Sequence, residues 1–297
     1  MYYQVADYPF EIITPPNINC RELLPWFAHF ECEAPYAPPL LFRFNATKTI
    51  LPSPERLLLE QTENDMGNVS VWQTPEGFCI ETGIIGSGYR HTMTTRHDFR
   101  HIEATIQWDD PYISQMLSSM IRIAFSQAIL REDGISIHAS AVSYKKKAYL
   151  FLGKSGTGKS THASLWTQHI PGTELINDDN PTLRIIEGKG AYIYGTPWSG
   201  KTPCYKNVCY PLGGITRLQQ ATANTYTKLN EWDAFVQIMP SCAVIKQNIA
   251  LYTNLCDKLV WISENIVVGL LRCLPDREAA ITSLRAMTQE YKEINNP

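Results

Sequence analysis

The sequence predicts a mixed α/β (α+β) fold with an antiparallel, β-rich N-terminal domain and a larger C-terminal domain. Three observations predict it. Short apolar runs of strand character dominate up to about residue 109, and an apolar repeat of helical spacing follows Pro111. A glycine-rich loop (residues 153–160) then joins a buried strand to a helix. We therefore place the domains at residues 1–109 and 110–297.

The composition is that of a globular protein with a sizeable core. The chain has 297 residues, of which 44% are hydrophobic and 19% charged, with a formal net charge of −3. A negative net charge disfavours nucleic acid as the main partner. We also expect no membrane association, because no apolar run approaches the length of a span and the first residues lack a secretion signal. Eight scattered cysteines without a Cys-x-x-Cys pair predict reduced thiols and a cytoplasmic location.

The N-terminal domain shows strand patterns separated by turns. Runs at residues 69–72 and 78–82 flank Pro75-Glu76-Gly77, which is typical of a hairpin, and residues 101–108 alternate cleanly. Three histidines, His91, His97 and His101, fall in this polar, alternating region. They lack the spacing of a zinc site, so we expect them to be solvated. No catalytic group of residues is recognisable in this domain.

The C-terminal domain begins with a helix and a hairpin. Pro111 suits the first turn of a helix, and Asp133-Gly134 ends the apolar repeat that follows it. Residues 135–142 and 148–152 are predicted strands, and their short connection requires an antiparallel pair. The strand that enters the glycine-rich loop is therefore the second arm of a hairpin.

The glycine-rich loop predicts a binding site for nucleotide phosphates. Its glycines allow a tight turn with inward-pointing N–H groups, and the helix after it directs its positive end at the bound anion. The ammonium group of Lys159 reaches the outer phosphates, and the hydroxyl of Ser160 suits Mg²⁺. The predicted nucleotide-binding residues are Gly153, Lys154, Ser155, Gly156, Thr157, Gly158, Lys159, Ser160 and Thr161.

Two further elements complete a candidate site for phosphoryl transfer. Asp178 and Asp179 follow the predicted strand at residues 174–177, and one acid can bind Mg²⁺ while the other acts as general base. The alternative is a turn that merely ends a strand. His138 lies on the predicted hairpin and is either a core histidine or a group that assists an aspartate or a metal ion.

A second glycine- and proline-containing loop, residues 195–201, ends in Lys201. Lys201 is a candidate contact for phosphate or for the acceptor, and the alternative is an ordered turn packed by Trp198. Cys204 and Cys209 have no second pair of ligands nearby in the sequence, so we do not predict a metal site there.

Three segments in order, residues 137–141, 153–160 and 175–180, resemble the kinase domain of HPr kinase/phosphorylase. The resemblance covers about residues 110–290 and extends to HPr-kinase-like proteins and to phosphoenolpyruvate carboxykinases. It implies that the glycine-rich loop binds ATP and that Ser160 and Asp178 hold Mg²⁺. Asp179 would accept the proton of the attacking hydroxyl, with His138 beside it and Lys159 on the phosphates, although the two branches of the superfamily use the acids differently. It also implies a homo-oligomer.

The chain departs from true HPr kinases after the acid pair. It lacks the Glu-Ile-Arg-Gly-Leu-Gly-like stretch of those enzymes and carries residues 195–201 there instead. We therefore expect neither HPr as the substrate nor a phosphorylase reaction. The sequence predicts a kinase that transfers the γ-phosphoryl group of ATP to a serine or threonine hydroxyl of a peptide or small protein. Two alternatives are a non-catalytic ATP-binding sensor or accessory protein and a kinase for a small hydroxy compound.

Overall fold

The computed structural model describes most of the chain, namely residues 1–35, 39–47, 49, 55–64, 67–200 and 202–288. The chain forms two compact units. The first contains Met1–Glu132 and Ile245–Leu251, and the second contains Asp133–Val244 and the chain from Tyr252 onward.

The first unit is built on a nine-stranded sheet of order β3-β1-β2-β4-β9-β8-β7-β6-β5. Its strands are β1 (Tyr2–Val5), β2 (Tyr8–Ile13), β3 (Glu31–Cys32), β4 (Arg43–Asn45), β5 (Leu57–Asn64), β6 (Gly67–Thr74), β7 (Gly77–Gly83), β8 (His91–Arg96) and β9 (His101–Thr105). The predicted hairpin is confirmed, since β6 and β7 pair antiparallel. The expectation of an antiparallel domain is wrong, because β4 pairs parallel with both β2 and β9. A long connection that includes helix α1 (Cys20–Leu23) brings β4 back in the same direction as β2.

Helix α2 (Ile113–Ala128) belongs to the first unit rather than to the second. Phe125 of α2 lies 6.1 Å from Phe10 of β2, ring centre to ring centre, and Phe10 in turn stacks on Phe42 at 4.7 Å. This aromatic contact explains why the compact unit extends to Glu132, beyond the domain boundary at residues 109 and 110 that the sequence predicts.

His91 is a correction to the sequence prediction, because it is fully buried and not solvated. Its Nε2 lies 2.9 Å from Oδ2 of Asp110, which is also buried, and its Nδ1 accepts a hydrogen bond from the backbone N–H of Gln107. A buried imidazole with both nitrogens satisfied is a structural residue. His97 and His101 are exposed as expected.

The second unit combines a second mixed sheet with helices. Its elements are β10 (Gly134–Ser136), β11 (Ala139–Tyr144), β12 (Lys147–Leu152), α3 (Lys159–His169), β13 (Glu174–Asn177), β14 (Thr182–Ile186), β15 (Gly190–Tyr194), β16 (Cys209–Gln220), β17 (Thr225–Lys228), α4 (Glu231–Ile238), α5 (Ile249–Asn265, which begins in the first unit), β18 (Val268–Cys273) and α6 (Arg277–Thr288). The strand order is β10-β14-β15-β16-β12-β11-β13, and β18 pairs with β16 and β17. With two mixed sheets and the helices around them, the chain has a mixed α+β architecture, as the sequence predicts.

The predicted hairpin into the glycine-rich loop is confirmed, since β11 and β12 pair antiparallel from Ala139↔Leu152 to Tyr144↔Lys147. The single strand predicted at residues 135–142 is instead two strands that separate at His138. Here the backbone N–H of His138 donates to the carbonyl of Ser241, which takes the chain out of the β10 ladder before β11 begins.

The strand directions bring several strand ends to one edge of this sheet. Strand β11 is antiparallel to both β12 and β13, so β12 and β13 run in the same direction. Strands β16 and β18 are parallel to β12 as well. The carboxyl ends of β13, β12 and β16, together with the start of β11, therefore lie along the same edge, in the order β13, β11, β12, β16.

Helices α3 and α6 cover one face of the sheet. Trp166 of α3 is fully buried, and its indole N–H donates to Oγ of Ser283 on α6 at 2.9 Å. His162 shares the same hydroxyl, with Nε2 at 3.0 Å. Burial lowers the pKa of His162 to about 4, so its imidazole is neutral at neutral pH. These contacts fix the helix that follows the glycine-rich loop.

No helix in the described ranges has both the length and the apolar character needed to cross a membrane.

Candidate functional site

The glycine-rich loop (residues 153–160) connects the end of β12 to the start of α3. Gly156 and Gly158 have φ angles of +78° and +106°, which L-residues with side chains rarely adopt. Gly158 caps α3, and its carbonyl accepts the N–H of His162 at 2.8 Å. A Cβ at Gly153 would lie 3.0 Å from Cβ of Thr157, so the loop closes tightly on itself. The glycines thus favour the tight turn that the sequence predicts.

Lys159 is the buried cation of the loop. Its Nζ crosses the loop and donates to the carbonyl of Gly153 at 3.1 Å. Burial lowers the pKa of Lys159, while the nearby charges of Asp179 and Asp178 raise it and that of Arg217 lowers it. The charges of both acids therefore favour the protonated form of Lys159. A phosphate oxygen is a stronger acceptor than the neutral carbonyl of Gly153 and would compete for the ammonium group.

The other loop residues are accessible to a ligand. Lys154, Ser155 and Thr161 are exposed, and Ser160 is half-buried in the first turn of α3. The first backbone N–H groups of this helix have no acceptor within the helix itself, and its dipole favours an anion at this end. The loop and the helix start therefore form one surface suited to phosphate.

Asp178 is the first residue after β13 and is almost fully buried. Its Oδ1 accepts a hydrogen bond from Oγ of Ser140 on β11 at 2.8 Å, and its Oδ2 accepts the backbone N–H of Thr202 at 3.0 Å. Each carboxylate oxygen can accept more than one bond, so lone pairs remain for a cation. Asp178 is held in one orientation by two donors.

Asp179 is more accessible and lies next to His138. Its Oδ1 is 3.4 Å from Nε2 of His138, and the exposed fractions of the two side chains are 28% and 42%. The amide of Asn180 donates to its other oxygen. Because neighbouring residues at a strand end point in different directions, one acid is buried against β11 and the other reaches the open edge with the histidine. Asp179 and His138, which the sequence analysis assigns to one site, are therefore neighbours in space.

Asn177 organises the turn that carries both acids, and the sequence analysis did not predict this role. It is fully buried. Its Oδ1 accepts the backbone N–H groups of Asp179 and Asn180, which forms an Asx turn. Its amide donates to the carbonyl of Trp198 at 3.0 Å and to Thr196. An asparagine directly before a polar turn is a signal that sequence reasoning can use for such a role.

The second glycine- and proline-containing loop supports the acid turn. The hydroxyl of Thr196 donates to the carbonyl of Asn180 at 2.8 Å. A Cβ at Gly200 would lie 3.0 Å from the carbonyl oxygen of Asp178, so this loop packs directly on the acids. Trp198 is buried, as expected for the ordered turn that is the alternative interpretation of this loop. Lys201, the predicted phosphate or acceptor contact, lies outside the described residues.

Arg217 is a further residue of this edge that the sequence analysis missed. It lies on β16 directly opposite Leu152, the last residue of β12 before the glycine-rich loop. No motif marks it, since its proximity to the loop follows from the pairing of two strands far apart in the sequence. Ser140 was missed as a support of Asp178 for the same reason.

The donor set fits a magnesium ion bound together with a nucleotide. In the described part of the chain, no group of three or more His, Cys, Asp or Glu side chains is placed to hold a metal ion. Magnesium in nucleotide sites needs fewer protein ligands, because phosphates and waters supply the rest. The hydroxyl of Ser160 and the carboxylate of Asp178 are hard oxygen donors of this kind.

The chain matches no protein-family model, and a search of curated proteins finds none that is similar to it.

Proposed function

We propose that this protein is an ATP- and Mg²⁺-dependent kinase of the HPr-kinase-like type, which phosphorylates a serine or threonine hydroxyl of a peptide or small protein. The observation that carries the proposal is that the loop with Lys159, the acid pair and His138 lie at the ends of the adjacent strands β12, β13 and β11, along one sheet edge. The glycine-rich loop between β12 and α3 supports it further. The proposal includes an HPr-kinase-like or carboxykinase-like fold for the second unit and the cytoplasmic location that the sequence predicts.

In this proposal each residue has a separate task. The N–H groups of the loop bind the phosphates of ATP, and Lys159 carries charge to the γ-phosphate. Ser160 and Asp178 would hold Mg²⁺, which when bound neutralises charge on the phosphates. Ser140 and the N–H of Thr202 keep Asp178 oriented for this task.

The transfer step needs a group that takes the proton of the acceptor. The hydroxyl oxygen of the acceptor attacks the γ-phosphorus, the bond to the β,γ-bridging oxygen breaks, and ADP leaves. Asp179 accepts the hydroxyl proton, because it is the more accessible acid of the pair. His138, 3.4 Å away, stabilises the orientation of Asp179 and the charge on its carboxylate.

The test is a transfer assay with γ-labelled ATP, Mg²⁺ and candidate peptides from proteins encoded beside this one. Wild-type protein should label a serine or threonine, and Asp179→Asn should lower the rate by about 10²–10⁴-fold while it still binds ATP. Asp257→Asn, at an exposed acid on α5, is the matched control and should keep the full rate.

Two outcomes would replace the proposal. Protein that binds Mg·ATP without transfer to any hydroxyl, and whose partner binding is unchanged by Asp179→Asn, is a nucleotide sensor. Transfer to free serine or another small hydroxy compound, with no peptide present, indicates a small-molecule kinase.

A further inference from the structure

A cleft of about 570 Å³ opens beside the glycine-rich loop, on the side away from the acid pair. Residues 154–157 of the loop form one wall, and Arg217 and Gln220 of β16 form the other. Leu218 and Gln219 of β16, Gln237 of α4 and Leu270 of β18 complete the lining. The order of the strands puts the acids at β13, the loop at β12 and this cleft toward β16. The loop thus has a catalytic side and a cleft side.

Arg217 is the cation of the cleft. Its Nη1 donates to Oγ of Ser241 at 3.0 Å and to the carbonyl of Gln237 at 3.4 Å, and both acceptors are neutral. Among the described residues no carboxylate forms an ion pair with it. Burial lowers the pKa of Arg217, which means that the protein environment does not compensate its charge fully.

Arg217 and Lys159 form a pair of like charges. Arg217 pairs with Leu152, the residue that precedes the loop, and its charge lowers the pKa of Lys159, so the two cations repel each other. Folding places a half-buried guanidinium group beside a buried ammonium group, and both lie next to a loop of inward-pointing N–H groups. Such an arrangement is unfavourable in the free protein and becomes favourable when a polyanion lies between the cations.

We infer that Arg217 is a second phosphate-binding residue, which contacts the polyphosphate tail of the nucleotide from the cleft while Lys159 contacts it from within the loop. This inference rests on the proposed function, because it takes the loop as the nucleotide site. Guanidinium groups bind two phosphate oxygens at once, and the bonds of Nη1 to Ser241 and Gln237 leave the other nitrogens of the group for this contact. The nucleoside end of the nucleotide then lies in the cleft, against the amides of Gln220 and Gln237.

A purely structural role for Arg217 predicts different behaviour. Its two bonds connect β16 to the end of α4, and the carbonyl of Ser241 in turn accepts the N–H of His138. If this connection were its only task, loss of the charge would disturb binding of every ligand of the site equally. If Arg217 binds phosphate, the loss of affinity on removal of its charge depends on the number of phosphates in the ligand.

The test is a binding series with ATP, ADP, AMP and adenosine, measured by calorimetry on wild-type protein and on Arg217→Met. We expect ATP to bind about 10–100-fold more weakly to the variant, ADP to lose less, and AMP and adenosine to change by less than about threefold. Arg217→Lys keeps the charge but loses the planar group that binds two oxygens at once, so its ATP affinity should lie between those of wild-type protein and Arg217→Met. Ser241→Ala removes one bond of Arg217 and keeps its charge, so it should preserve the preference for ATP.

Three results would overturn the inference. These are wild-type protein that binds no ATP, equal ATP affinity in wild-type protein and Arg217→Met, and an equal loss for adenosine and ATP. If Arg217→Met does not fold, the same comparison is made with Arg217→Lys. Because the series needs no acceptor, a protein that shows the expected pattern yet transfers no phosphate contradicts the proposed function and leaves this inference standing.

Discussion

The glycine-rich loop and the acid loop (residues 177–180) both follow a strand at the same sheet edge, yet they are held by different means. The glycine-rich loop owes its shape to positive φ angles at Gly156 and Gly158 and to bonds within itself. The acid loop is held by side chains, above all Asn177, with donors from distant segments. The shape of the glycine-rich loop depends mainly on eight consecutive residues, whereas the shape of the acid loop depends on the whole folded unit.

This difference decides what each loop tolerates. A loop held mainly by its own backbone geometry can lose one side-chain bond and keep its form, so functional changes there should have small effects on stability. A loop held by a buried asparagine and two partner segments couples its form to the stability of the whole unit. The predictions below separate these two cases.

The largest effect is expected at Lys159. Lys159→Met keeps most of the apolar stem and removes the charge, so transfer should fall by about 10²–10³-fold with little loss of stability. Lys154→Met removes an exposed, solvent-screened charge from the same loop, and this comparison variant should lower the rate by less than about tenfold. Steady-state transfer rates and thermal unfolding measure both effects. Similar losses in the two variants would show that the loop uses only general positive charge.

Asn177→Ala should lower both stability and activity. The change leaves the backbone groups of Asp179, Asn180 and Trp198 without their buried partner, at a cost of about 3 kcal/mol in the free energy of unfolding. Urea unfolding measures it. Asn265→Ala, at an exposed asparagine with one bond to its own helix, should cost no more than about 0.5 kcal/mol. Equal costs would mean that Asn177 does not organise the acid loop.

The helix behind the glycine-rich loop should become less stable in acid because of His162. Its pKa is about 4 in the folded protein, below the usual 6.5, so the unfolded chain binds the proton more readily. The neutral imidazole therefore makes its full contribution to the free energy of unfolding above pH 6.5. As the pH falls toward 4, up to about 3 kcal/mol of this free energy is lost. Unfolding free energies of wild-type protein and His162→Gln across this range measure it. Parallel pH curves for the two proteins would contradict the assignment.

The smallest effect is expected from two glycines with nearly the same backbone. Gly156 and Gly172 have φ angles of +78° and +80°, and a Cβ at either would meet no atom within 4 Å. Alanine should therefore cost about 1 kcal/mol of stability at both positions, from backbone strain alone. Only Gly156→Ala should also weaken ATP binding, because only Gly156 lies in the loop. Equal ATP affinities in the two variants would show that the loop geometry is unimportant for the nucleotide.

The same contrast explains how far the sequence could predict this protein. The glycine-rich loop and the antiparallel hairpin before it could be predicted because their geometry follows from neighbouring residues. The break at His138 could not, since a carbonyl about 100 residues later in the chain, that of Ser241, causes it. The parallel pairing of β4 with β2 could not be predicted either, because it depends on the path of the long connection between these two strands.

The candidate site shows the same limits. Lys159, Asp178, Asp179 and His138 were all named from the sequence, and they lie at one sheet edge. Arg217 carries no local signal, and only the parallel pairing of β12 with β16 brings it to the loop. Site residues that belong to a sequence motif could be predicted. Ser140, which supports Asp178, and Arg217, the second cation, could be found only from the order of the strands.

A crystal structure of the protein with Mg²⁺ and a non-hydrolysable ATP analogue tests the central claim most directly. We predict that the phosphates occupy the glycine-rich loop, with the terminal phosphate in contact with Nζ of Lys159 and facing the carboxylate of Asp179 beside His138. An analogue bound elsewhere, or with its terminal phosphate turned away from both acids, would contradict the proposal of a single site for phosphoryl transfer.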